Sequence, residues 1–164
     1  MIGKKMQKAL NEQIKAELDS AYLYLAMAAY FHSEGLDGMA QWMHVQSEEE
    51  LSHAKKFMQH IVDREGRVEL AALPQPKKSW ESPLAAFEAA YKHEQSITKR
   101  IDALVELAAK EKDHAAGVML QWFVNEQVEE EASASKIVQM LQHIGRSGSG
   151  LIMLDRQLGK RGGE

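Results

Sequence analysis

A chain of 164 residues with a formal net charge of −4 has room for one domain with a sizeable core, and its lack of a Lys/Arg cluster excludes nucleic acid as an expected partner. It contains no cysteine, which rules out disulfides, thiolate metal sites and thiol nucleophiles and is easily reconciled with a reducing cytoplasm. Helix formers dominate, only three prolines occur and β-branched runs are scarce, so the expected class is all-α.

The start, Met1-Ile-Gly-Lys-Lys-Met-Gln-Lys, is basic but leads into a polar helix and not into a signal-type apolar run. That first helix is expected over about residues 4–32 and stops at the turn Ser33-Glu-Gly-Leu-Asp-Gly38. Its apolar positions Leu10, Ile14, Ala21, Tyr24, Ala28 and Phe31 step by three or four, apart from one gap that Glu17 fills. Its most apolar stretch, Ala21 to Phe31, is 11 residues long, far short of the ~20 a membrane span needs. The second helix is expected over about 37–65, capped by Gly66, with Met39, Met43 and Phe57 setting a register into which Glu50 and His53 fall. Ser82-Pro83 opens the third, running to about 111, with Glu94 in register with Phe87, Ala90, Ile97 and Ile101. The fourth covers about 113–144 and stops at Gly145; Leu120, Phe123, Ala134, Ile137 and Leu141 enclose Gln127 and Glu130. A short apolar helix is expected over about 151–159.

Seventeen residues from Gly66 to Ser82 carry no helical pattern. Extended, they can reach ~56 Å, more than the ~42 Å of a 28-residue helix. With Pro74 and Pro76 favouring an extended path, this segment can run the length of a bundle. The second and third helices are then parallel, while the short turns make the other consecutive pairs antiparallel. The expected architecture is a single domain, residues 1–164: a four-helix bundle over about 4–144 with one long crossover, plus the short C-terminal helix.

Glu17, Glu50 with His53, Glu94, and Gln127 with Glu130 all fall within about three residues of their helix centres, or ~5 Å along the axis. They therefore form one layer across the core. A single glutamate in an apolar stripe is ordinarily a snorkelling side chain; four helices placing one at the same depth require another explanation. An unpaired buried carboxylate costs several kcal/mol, and no Lys or Arg shares these stripes. Metal ions are the natural shared partner: four carboxylates balance two divalent cations beside a neutral His53. Glu50 and His53, three apart, can converge on one ion, and Gln127 and Glu130 repeat the spacing. Oxygen-rich ligation with one imidazole suits iron or manganese.

At these residues the chain resembles the haem-free prokaryotic ferritins. The motifs are Asn11-Glu-Gln-Ile-Lys-Ala-Glu17, Glu49-Glu-Leu-Ser-His53, Tyr91-Lys-His-Glu94 and Gln121-Trp-Phe-Val-Asn-Glu-Gln-Val-Glu-Glu-Glu131, and the resemblance covers essentially the whole chain. It implies a ferritin-like fold and an iron-storage ferroxidase that oxidises Fe(II) with dioxygen or hydrogen peroxide and deposits ferric oxide mineral inside a cage. It implies that Glu17, Glu50 and His53 bind one iron and that Glu50, Glu94 and Glu130 bind the second. Gln127 is then a polar neighbour, Tyr24 a hydrogen-bonding neighbour and one-electron donor, and Trp122 a weaker candidate for the same role. Glu49, Glu126, Glu129 and Glu130 build a third iron site in similar ferritins; read without the resemblance, the outer three are a solvated acidic face. The other six histidines, His32 and His44 among them, read as surface or satisfied residues, and no haem is expected.

Tyr22, Leu23, Ala26 and Tyr30 make the first helix apolar all round, which predicts an exposed patch covered by another subunit. The resemblance implies a closed homo-oligomeric cage, usually of 24 subunits. Two other readings compete. A peroxide-consuming di-iron oxidoreductase of the rubrerythrin kind typically carries an additional cysteine-bound iron, which this composition forbids. A metal-free helical interaction protein would use its mid-core acids only to tune specificity, and metal content separates it from the ferroxidase.

Overall fold

A computed structural model describes residues 1–162. Five helices account for its regular structure: α1 Lys4–Ser33, α2 Asp37–Asp63, α3 Pro83–Lys110, α4 His114–Ile144 and α5 Gly148–Leu158. There is no strand among the described residues. α1 packs along α2, α3 along α4, and α5 closes against α2 and α4 at one end of the bundle. No helix among the described residues is long and apolar enough to cross a membrane.

The helix ends follow from local chemistry. Ser82 caps α3 by accepting from the Ala85 amide at 3.1 Å, with Pro83 pre-set for the first helical position. Asp113 caps α4 through the Ala116 amide at 3.0 Å and also takes Arg64 at 2.8 Å, a pairing that holds its carboxyl below the usual range although burial alone would raise it. Between α1 and α2 the Leu36 amide donates back to the Phe31 carbonyl at 2.9 Å across Gly35, whose φ of 72° is the left-handed value such a turn needs.

Two ends differ from the sequence expectation. α2 stops at Asp63, and the left-handed residue beyond it is Glu65, with φ 58°, while Gly66 is required by close packing. A Cβ on Gly66 would lie within 3 Å of Ile2, Gln7 and Ile61 side-chain atoms. α5 begins three residues earlier than its apolar pattern, because the Ser147 hydroxyl accepts from the Gly150 amide and lets Gly148 to Gly150 join the first turn.

The crossover runs the length of α1. At its start the Arg67 amide donates to Gln7 Oε1 at 3.0 Å, and Asn11 bridges the Arg67 carbonyl at 3.0 Å and the Glu69 amide at 2.7 Å. At its far end Trp80 packs edge-on against Tyr30 with ring centroids 5.4 Å apart. Tyr30 is thereby buried, at 7% exposure, and does not belong to the outer apolar patch expected from sequence; of that patch Tyr22 is exposed and Leu23 and Ala26 are half-buried, and Leu25, which the sequence reading did not include, is exposed beside them.

The apolar core is in two halves. One gathers Tyr24, Met27, Phe31, Met39, Met43, Phe87, Ile137 and Leu141. The other gathers Met6, Leu10, Ile14, Phe57, Ile97, Ile101, Leu120 and Phe123. Buried polar residues at Glu17, Gln46, Glu50, His53, Glu94, Gln127 and Glu130 lie between the two sets of positions along their helices, and Gln13 lies one turn before Glu17.

Candidate metal centre

Each helix delivers its glutamate by the same means, a polar residue in the apolar stripe one or two turns from large core side chains. Glu17, Glu50 and Glu94 are essentially fully buried, and Glu130 is 6% exposed. The ligand atoms of Glu17, Glu50 and His53 lie within 4.8 Å of one another, and so do those of His53, Glu126 and Glu130. His53 faces both groups. Its Nδ1 is 3.4 Å from Glu50 Oε2 and 4.0 Å from Glu17 Oε2, while its Nε2 looks to Glu126 Oε1 at 3.9 Å. Trp122 and Phe123 hold the ring edge-on at centroid distances of 5.5 and 5.7 Å, and Phe123 stacks on Phe57 at 4.0 Å beneath it.

Glu94 stands in neither group. Its Oε1 accepts from the Tyr24 hydroxyl and its Oε2 from Gln127 Nε2 at 3.2 Å. Gln127 also reaches the Glu94 carbonyl and Thr98 Oγ1, both at 3.3 Å. Thr98 donates in turn to Glu131, an outer carboxylate that takes no part in the layer.

Among the described residues no Lys or Arg nitrogen comes within 4.0 Å of the carboxylates of Glu17, Glu50, Glu94 or Glu130. The electrostatic consequence is plain. Burial pushes the Glu17 and Glu50 carboxyls well above the ordinary range, and neighbouring carboxylates add to it. Burial also raises Glu94, against the opposing bonds from Tyr24 and Gln127, and brings Glu130 up to about 7. Burial first, then the charges of Glu94 and Glu50, push the Tyr24 hydroxyl well above its usual value, so it stays a donor. Glu17 Oε2 is buried with no hydrogen-bond partner at all. An orphaned oxygen beside a second carboxylate and an imidazole is a donor set that could hold a cation.

Several residues absent from the sequence reading complete the layer. Gln13 Nε2 donates to Glu17 Oε1 at 2.7 Å, while Gln13 Oε1 accepts from Arg100 Nε at 3.1 Å. Gln46 Nε2 donates to Glu130 at 2.7 Å and Glu50 at 3.2 Å, while Gln46 Oε1 accepts from Arg161 at 2.8 Å. Both glutamines sit four residues before a buried glutamate, one turn away on the same face, a spacing that could have exposed them. Arg161 has no local signal, since it lies beyond α5 and reaches Gln46 only in the folded chain. It also pairs with Glu49 and lies over the Trp42 ring at 4.3 Å. Glu49 is thus engaged by an arginine, Glu126 turns to His53, and Glu129 is exposed. Ser20 and His93 meet at 2.7 Å behind Tyr24, and burial lowers the His93 pKa.

Residues 7–144 match the model of the ferritin-like domain. A bacterial non-heme ferritin of Bacteroides fragilis is 44% identical over 161 residues, 98% of this chain and 100% of its own length. The chain belongs to the ferritin family. Another non-heme ferritin relative, from Campylobacter jejuni, is 40% identical over 158 residues, 96% of this chain and 95% of its own. Among ferritins of known structure, a novel open pore ferritin from the hyperthermophilic archaeon Archaeoglobus fulgidus is 54% identical and superposes with a TM-score of 0.97, covering 98% of this chain and 99% of that one. The all-α, ferritin-like fold with its short C-terminal helix is therefore that of the family, and iron storage is the function the family supports.

Proposed function

We propose that the central layer is a ferroxidase centre that oxidises stored iron on entry. Two Fe(II) ions are its substrates. Glu17, Glu50 and His53 hold the first, and Glu50, Glu94 and Glu130 the second, so that Glu50 is shared. Each Fe(II) gives one electron to dioxygen, and two protons complete its reduction to hydrogen peroxide. Glu49, Glu126 and Glu129 with Glu130 form a third station towards the cavity of a homo-oligomeric, 24-subunit cage in the cytoplasm, where ferric mineral accumulates. Glu94 reaches its ion by turning from Tyr24 and Gln127.

The observation that carries this reading is a buried set of four carboxylates with no lysine or arginine partner and one oxygen wholly unsatisfied, Glu17 Oε2. Burial and the neighbouring carboxylates raise these carboxyl pKa values and so favour protons at the site until a cation competes with them. The chain's own contribution is to hold two ions at a set separation in a dry core and leave coordination positions open. Tyr24 holds Glu94 through its hydroxyl until the carboxylate turns to its ion, and the Gln13 and Gln46 amides orient Glu17, Glu50 and Glu130.

The test is stopped-flow oxidation of two Fe(II) per chain in aerated buffer. Glu50→Ala removes the shared ligand and should cost more of the initial rate than Glu94→Ala. An unchanged initial rate in Glu50→Ala would overturn the assignment.

A further inference from the structure

Away from the central layer, the turn joining α1 to α2 carries two histidines that converge. His32, in the last turn of α1, and His44, in the second turn of α2, place their Nε2 atoms 3.4 Å apart, with ring centroids separated by 5.5 Å. The other nitrogen of His32, Nδ1, lies 2.7 Å from Asp37 Oδ1. The His32 ring is half exposed and His44 partly so, and both face solvent.

The carboxylate decides the tautomer. A 2.7 Å contact to Asp37 places a proton on His32 Nδ1, so that in the neutral ring Nε2 offers its lone pair towards His44. The 3.4 Å approach is at the long end of hydrogen-bond distance. It does match another geometry: two imidazole nitrogens bound at ~2.05 Å across a tetrahedral angle stand about 3.3 Å apart. An imidazole whose second nitrogen donates to a carboxylate is also the arrangement that orients histidine ligands in metal sites.

We propose that His32 and His44 form a surface site for a nitrogen-preferring divalent cation, of the Zn²⁺, Cu²⁺ or Ni²⁺ class, with Asp37 as its orienting carboxylate. The site is chemically distinct from the central layer. That layer offers one imidazole among carboxylates in a dry core, whereas this one offers two imidazoles and leaves its remaining positions to water. His44 lies six residues before Glu50, about 9 Å along the α2 axis, so the two sites share no ligand. A borderline cation can be held at the surface here while the carboxylate layer remains free for iron.

Cu²⁺ and Zn²⁺ added to the iron-free protein test this. With one Cu²⁺ per chain, electron paramagnetic resonance should show coupling to two imidazole nitrogens, a pattern the central layer cannot produce from His53 alone. His32→Ala and His44→Ala should each abolish the two-nitrogen pattern and lower zinc stoichiometry by one ion per chain in equilibrium dialysis. Asp37→Ala should keep the stoichiometry and weaken zinc at this site roughly tenfold. The rate of Fe(II) oxidation should be unchanged in all three variants. A His32→Ala/His44→Ala double variant that keeps both the parental zinc stoichiometry and the parental copper spectrum would overturn the proposal.

Discussion

Replacing Glu130 by glutamine should stabilise the metal-free protein, by an amount that grows with pH. In the folded chain the Glu130 carboxyl is pushed up to about 7 from 4.5, by burial first and then by the charges of Glu94 and Glu49, against the bond from Gln46. Between those two values the folded chain holds a proton that the unfolded chain has released. Stability therefore falls as pH rises across the window, and the loss is complete above it. A carboxyl moved that far represents about 3 kcal/mol. Glutamine cannot ionise, and its amide oxygen can still accept from Gln46 Nε2, which donates to Glu130 at 2.7 Å. The variant should gain up to about 3 kcal/mol on the parent between pH 5 and pH 8, or roughly 6–12 °C in Tm for a chain of this length. The measurement is thermal unfolding of metal-stripped protein, at one fixed concentration because assembly couples to stability. His60 and His93, whose pKa values are lowered in the fold, drive stability the opposite way below 6.5, but both proteins contain them and the difference cancels their effect. A divalent cation at 100 times its dissociation constant should restore about 2.7 kcal/mol to the parent and less to the variant. Equal stabilities at pH 8, or a difference that does not vary with pH, would refute the view that Glu130 awaits a cation.

Tyr24→Phe removes the hydroxyl that donates to Glu94; stability should change by only about 1 kcal/mol, while Fe(II) oxidation slows, and an unaltered rate in stopped flow would take Tyr24 out of the site. Phe123→Ala, which deletes a buried ring stacked at 4.0 Å on Phe57 and set against His53, should cost about 3–5 kcal/mol in denaturant unfolding. A Glu49/Glu126/Glu129→Ala variant should keep its first turnover of two Fe(II) per chain but change its iron-to-oxygen ratio, measured by oxygen electrode. If those three are only a solvated face, the ratio will not move.

What was legible in the sequence was whatever repeats with the helical period. The stripes marked α1 to α4 and exposed Glu17, Glu50, His53, Glu94 and Glu130 as exceptions within them, because a charged residue in an apolar register is visible without knowing its neighbours. The crossover was legible from length alone, and the bonds from Gln7 and Asn11 at one end and Tyr30 against Trp80 at the other show it running along α1. What escaped was set by contacts far apart in sequence. Tyr30 looked exposed because Trp80 covers it from fifty residues away. Sequence alone points to Gly66 as the cap of α2, because glycine is the usual left-handed residue, whereas Glu65 takes that conformation and Gly66 is demanded by the Ile2 and Gln7 side chains packed on it. Arg161 could not be read at all, since nothing in its neighbourhood points to Gln46.

Both arginines that approach the layer stop one residue short of it, and the reason is electrostatic. Arg100 reaches Gln13, and Gln13 reaches Glu17; Arg161 reaches Gln46, and Gln46 reaches Glu50 and Glu130. A guanidinium placed directly on these carboxylates would satisfy them permanently, with bidentate bonds and a full charge that an incoming cation would have to displace. A glutamine transmits the arginine's orientation but not its charge. Its carbonyl is pinned by the cation outside, so its amide nitrogens must face the carboxylates inside, and the acids are held in place while still lacking a positive partner. The layer is thus ordered without being neutralised, at a cost in stability that its raised carboxyl pKa values record. A core built only for stability would have replaced these acids with apolar side chains of similar volume. Retaining four of them, each positioned by an uncharged donor, makes sense for a site whose positive charge arrives from solution and leaves again.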